Sequence, residues 1–164
     1  MRRAVPLIVF ALLVCVPLGS ARTAVAITPD SIAGIRLGMT QAKANALLAK
    51  PVRVDRLELG YQRLVSGKQK LEVYFQQAAL GVVTVTTWNR ALKTAKGIGP
   101  CSSVAALKRA YGVRLRPFRQ GGRIVAYRLG NLIFATKGGQ IVRVVGLGRT
   151  APTIFVALNA PECR

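Results

Sequence analysis

Few residues in this sequence are equipped for chemistry. Histidine is absent from the 164 residues, which excludes imidazole general bases, histidine-centred triads and the commonest kind of metal ligand. The carboxylates are Asp30, Asp55, Glu58, Glu72 and Glu162. Of these, Asp55 and Glu58 form the one close pair; three positions apart on a strand they point to opposite faces, so they read as ordinary surface charge. Ser102 or Ser103 with Lys108 is the remaining nucleophile and base, but a serine at a helix start serves first as a cap. No glycine motif ends in the Lys-Ser/Thr that cradles phosphate, and no cysteines stand at two-residue metal spacing. The expectation is a protein that is not an enzyme and uses neither cofactor nor metal.

Binding surfaces are easier to find. Across 71–77 the alternation sets Leu71, Val73 and Phe75 against Glu72, Tyr74 and Gln76. Its neighbour, 82–88, sets Val83, Val85 and Thr87 against Thr84, Thr86 and Trp88. Glu72, Tyr74, Gln76, Thr84, Thr86 and Trp88 thus make a candidate protein-binding face, aromatics among small polar groups. In the competing reading Tyr74 and Trp88 cover the far side of the core. Further on, the pleat puts Arg114 and Arg116 on one face, and Arg119, Arg123 and Arg128 extend them into a candidate anion-binding strip. No nucleic-acid module signature accompanies that strip, and no nucleic-acid partner is expected.

The elements that must position these residues are organised around 34–51. There Gly34 and Gly38 mark turns, Thr40 offers an N-cap, Ala44, Leu47 and Leu48 share a helical face, and Pro51 stops the helix. Shifted by 63 positions this stretch meets 97–112, in which Gly97, Ile98, a serine cap and the apolar spacing of Ala106, Leu107, Ala110 and Tyr111 recur before Gly112. Strand-like runs follow each copy, at 52–59, 61–65, 71–77 and 82–88, then at 113–118, 124–129, 132–136 and 141–147. A last strand is expected at 153–158. Short turns such as Gly121-Gly122, Gly130-Asn131 and Gly138-Gly139 imply antiparallel meanders. Residues 28–34 read as an irregular lead-in with a turn of helix or loop, and 89–99 as a partly helical connection.

The start of the chain reads as an export signal: Met1-Arg2-Arg3, an apolar run from Leu7 to Leu18, then small residues before cleavage after Ala21 or Ala26. No later segment is apolar enough to span a membrane. The formal charge is +20, and removal of 1–26 with Arg2, Arg3 and Arg22 leaves +17. That excess predicts salt-sensitive attraction to anionic polymers or surfaces. In an exported chain Cys101 and Cys163 are expected to form a disulfide, worth about 4 kcal/mol for a loop of this length.

The run Gly-x-x-x-Gly-Met-Thr with a short helix ending Leu-Leu-small-x-Pro, present at 34–51 and followed by strands, resembles small exported helix-plus-meander proteins. These are the outer-membrane-assembly lipoprotein E (SmpA/OmlA) type and the tandem-repeat β-lactamase inhibitor type. The resemblance implies export, protein contacts rather than catalysis, and an antiparallel sheet offering a binding face. The combined expectation is an α+β fold with a signal at 1–26 and two repeats, 27–96 and 97–164, each a short helix packed on an antiparallel meander. It would act as a secreted or cell-envelope binding module for a protein. The alternative is a basic envelope protein binding anionic wall polymer or lipid, and a poorer one is an exported Ser/Lys hydrolase.

Overall fold

The computed structural model describes residues 27–57, 60–76, 81–148 and 163. The expected signal at 1–26 and the strand at 153–158 lie outside that set. The fold is α+β and mostly antiparallel sheet. Three two-residue strands open it, β1 (Ile27–Thr28), β2 (Ser31–Ile32) and β3 (Ile35–Arg36), paired in a small sheet of their own. They stand where a turn of helix or loop was expected, and Ile27, Ile32 and Ile35 are all buried. Helix α1 (Gln41–Leu47) leads into β4 (Val52–Arg56), β5 (Tyr61–Ser66), β6 (Leu71–Gln76) and β7 (Gly81–Thr87). Helix α2 (Val104–Tyr111) leads into β8 (Arg116–Gln120), β9 (Arg123–Leu129), β10 (Leu132–Lys137) and β11 (Ile141–Gly148).

These last eight strands form one antiparallel sheet in the order β4-β5-β6-β7-β11-β10-β9-β8. Each set of four is a meander, and the two meanders join where β7 pairs with β11: Thr84 with Gly148, Val85 with Leu147, Thr86 with Gly146, Thr87 with Val145. Bulges loosen the pleat between β6 and β7 and between β10 and β11, where Val83 and Arg143 are the extra residues. Both helices lie against the same face. A single buried cluster holds Ala44 and Leu48 from the first half and Val104 and Leu107 from α2 against Leu71, Val73, Val85, Phe134, Val145 and Leu147. At seven and eight residues the helices are too short to persist without that packing. No described helix is long and apolar enough to cross a membrane.

Both helices start where the sequence placed their caps. Thr40 Oγ1 accepts from Lys43 N and Ser103 Oγ from Ala106 N, at 3.5 and 3.1 Å. The turns before them dock on the sheet alike. Gly38 N donates to Val82 O at 2.7 Å and Val82 N to Met39 O at 2.8 Å. Cys101 N donates to Val142 O at 2.7 Å and Val142 N to Ser102 O at 2.8 Å. Gly38 and Cys101 both have positive φ, 77° and 67°, and at Cys101 this left-handed backbone occurs without glycine's freedom. The same residue carries the expected disulfide to Cys163, with Cα atoms 5.5 Å apart.

Two expected elements are corrected. Instead of a strand at 113–118, Gly112–Arg114 is a turn of 3-10 helix and β8 begins only at Arg116. Gly112, at φ 53°, turns the chain out of α2, and Leu115 N closes the turn on Gly112 O. Pro117 is then tolerated because β8 is an edge strand. The connection at 89–99 is not helical; Asn89 Oδ1 accepts from Ala91 N, Thr94 N donates to Ile98 O, and Ile98 N donates to Thr94 Oγ1.

The docking of Met39 on β7 leaves no room at Gly81, where an added Cβ would stand 2.7 Å from Gly38 O. Gly81→Ala should therefore cost about 1–3 kcal/mol in urea unfolding. Gly67→Ala, which meets nothing within 4 Å, should leave the midpoint almost unchanged.

Candidate functional site

The face of the sheet away from the helices carries the polar residues singled out in the sequence. Register sets Glu72 beside Thr86 and Tyr74 beside Thr84, so these four share it, and Gln76 lies at the end of β6 opposite Gly81. Trp88 follows β7 and packs on Ala135 and Val144. The six are therefore brought together, but their accessible surface is small. Glu72, Tyr74, Thr84 and Thr86 are 9%, 8%, 2% and 0% exposed. The hydroxyl of Thr86 is buried with no hydrogen-bond partner among the described residues, facing a strand position occupied by Gly146. Such an unmade bond costs about 1–3 kcal/mol.

Toward the β4 edge this face holds a charged network that the sequence reading did not find. Arg63 donates through Nε and Nη2 to Asp55 Oδ2, at 3.1 and 2.5 Å, and its Nη1 stands 3.5 Å from Glu72 Oε1. Tyr74 Oη donates to Glu72 Oε2 at 2.7 Å, and Arg53 Nε stands 3.1 Å from Asp55 Oδ1. Asp55 is thus no idle surface charge. The hydrogen bond from Arg63 holds it below its ordinary pKa, burial opposing and Arg53 assisting. For Arg63 burial works downward, yet the bonds to Asp55 and Tyr74 outweigh it and the guanidinium is held more firmly protonated. Burial, then the neighbouring Glu72, pushes the Tyr74 phenol well above its usual range. The missed signal was pairing register: Asp55 faces Arg63 across β4 and β5, and Arg63 faces Tyr74 across β5 and β6.

The opposite edge is different in kind. All of β8 is exposed, as are Gly121, Gly122 and Arg123 beyond it. Arg116 pairs directly with Arg128, Arg119 pairs with Ile124, and Gln120 pairs with Arg123. Arg119 Nη1 donates to Gly122 O at 3.1 Å and Arg128 Nε to Gly130 O at 2.8 Å, so two of the guanidinium groups brace the turns on either side of β9. Arg116, Arg119, Arg123 and Arg128 therefore belong to one hairpin. Arg114 does not, because the 3-10 turn carries it away from β8. Between Glu72 and Glu162 the sequence has no carboxylate at all, and every ion pair among the described residues lies on β4, β5 and β6.

The serines and the lysine of the Ser/Lys alternative each make other contacts. Ser103 Oγ caps α2, Ser102 Oγ accepts from Gly99 N at 3.1 Å, and Lys108 Nζ sits 5.6 Å from the centroid of the Tyr127 ring. No protein family, curated protein or solved structure matches the chain.

The Arg63 network has a pH signature. A carboxylate with a depressed folded pKa stabilises the fold above its unfolded value, here 3.8, and that stabilisation is lost as pH falls through the folded value. Arg63→Ala should cost about 1–2 kcal/mol near neutral pH, and the difference from wild type should shrink as pH drops below 3.8, measured by urea unfolding across the acid range.

Proposed function

We propose that this chain is an exported, non-catalytic binding protein of the cell envelope whose recognition surface is the β8–β9 hairpin and whose partner is an anionic envelope polymer. One observation carries the reading: β8 is exposed along its whole length and brings Arg116 and Arg119 beside the exposed Arg123 of β9, while the carboxylates that make ion pairs among the described residues lie on β4 and β6. The +20 formal charge favours the encounter with an anionic partner. The face around Tyr74 and Trp88 is the weaker candidate for a protein partner, since its central residues offer almost no accessible surface.

Export is supported by the arginine start, apolar run and small residues of 1–26, and by the disulfide, which belongs to oxidising compartments. A tandem duplication, with units at 27–96 and 97–164, is supported by three correspondences. The caps Thr40 and Ser103 and the buried Ile35 and Ile98 are each 63 positions apart. The docking bonds of Gly38 and Met39 on Val82 repeat in Cys101 and Ser102 on Val142. The bulged Val83 and Arg143 occupy like places in β7 and β11.

Binding to polyphosphate and to anionic vesicles should fall steeply as salt rises. Each basic residue near an anionic surface is worth about 1 kcal/mol, so Arg116→Gln, Arg119→Gln and Arg123→Gln together should weaken low-salt binding by about a hundredfold. Tight binding that survives high salt, or a triple variant that binds like wild type, would contradict the reading.

A further inference from the structure

The 3-10 turn that removes Arg114 from the basic hairpin delivers it to a pocket. A cavity of about 310 Å³ opens between the β1 end of the chain, the 94–96 turn, the end of α2 and the β9–β10 turn. That volume is at the lower end of the range for pockets that hold small organic ligands. Its walls are apolar: Ile27 and Leu132 are buried, and Leu129 and the Tyr111 ring complete them. The Tyr111 hydroxyl is already committed, donating to Thr94 Oγ1 at 2.8 Å, so the phenol offers the cavity its ring rather than its polar tip.

The rim is cationic. Lys96 and Arg114 are exposed and both line the cavity, and among the described residues no carboxylate does; Asp30, next in sequence to the lining Pro29, is not part of the wall. Lys96 is held in place. Its Nζ lies 5.2 Å from the centroid of the Tyr111 ring and donates to Ala110 O at 2.5 Å. An ammonium has three donors, so two remain for a ligand. Apolar walls beneath two positive charges, one of them held by the Tyr111 ring and Ala110 O, suit a molecule with one anionic end and one greasy end.

We infer that this pocket binds a small carboxylate with an apolar body, its carboxylate between Lys96 and Arg114 and its body against Ile27, Tyr111, Leu129 and Leu132. The site is separate from the β8–β9 hairpin and uses none of the residues that carry the polymer-binding reading.

The test is titration of the full mature chain with sodium decanoate, below its micelle concentration, followed by amide chemical shifts and by heat of binding. Decanol and inorganic phosphate serve as comparison ligands. Decanoate should shift Ile27, Tyr111 and Leu132 and bind at least tenfold more tightly than decanol, while phosphate should leave these residues unmoved. Lys96→Glu with Arg114→Glu should weaken decanoate at least tenfold and leave decanol unchanged, and Ala95→Trp at the mouth should weaken both. Equal affinity for decanoate and decanol, absence of shifts in the pocket, or shifts confined to Arg119 and Arg123 would overturn the inference. The wild-type comparison of the three ligands decides the matter even if a variant fails to fold. The Arg116, Arg119 and Arg123 triple variant, which should bind decanoate normally, separates this site from the polymer surface.

Discussion

The structure depends on the antiparallel pairing of β7 with β11. Each meander alone would end in an open edge at its fourth strand, a row of unpaired main-chain groups ready to recruit another chain. Pairing those two edges removes both at once and puts Val85 and Leu147, both fully buried, in the middle of one core. The outer edges are left to β4 and β8, and both carry what edge strands need: Arg53, Asp55 and Arg56 on one, Arg116, Pro117 and Arg119 on the other. The helices are subordinate to this sheet. Each is held by its entry turn, bonded through the main chain to Val82 or Val142, and by a few apolar side chains.

The sheet also separates two kinds of electrostatics. On β4, β5 and β6 the cations Arg53 and Arg63 are answered by Asp55 and Glu72, and the result is a cross-strand network that locks register. On β8 and β9 the cations line up without a carboxylate in the sequence of either strand. The paired charge on β4, β5 and β6 contributes to the fold. The two ends of the same sheet therefore differ in electrostatic character.

Much of this was legible in the residues. Alternation in Leu71, Val73 and Phe75 identified the core face of β6, and Thr40 and the Ser102-Ser103 pair located both helix starts because capping chemistry is local. The pair Cys101 and Cys163 was readable from the export signal expected at 1–26 and from the lack of any other cysteine after it. Three things were not. Strands of two residues, as at Ile27, Ser31 and Ile35, are shorter than any period. The diversion of Arg114 depends on a glycine, Gly112, whose positive φ starts a turn that strand propensity does not register. Arg63 finds Asp55 and Glu72 only through pairing register, a long-range property set by turn lengths and bulges. The same limit applies to the face of Tyr74 and Thr86: the pleat gave the side of the sheet and said nothing of burial.

The central claim is that the β7–β11 seam makes the two meanders one cooperative unit. Native-state hydrogen exchange tests it most directly, with the amides of Gly38 and Val82 reporting the first half and those of Cys101 and Val142 the second. The account predicts that Val82 and Val142 exchange only through global unfolding, with equal free energies and equal sensitivity to urea. If one half's amides exchange through a substantially cheaper opening while the other half stays protected, the halves fold separately and the claim is wrong.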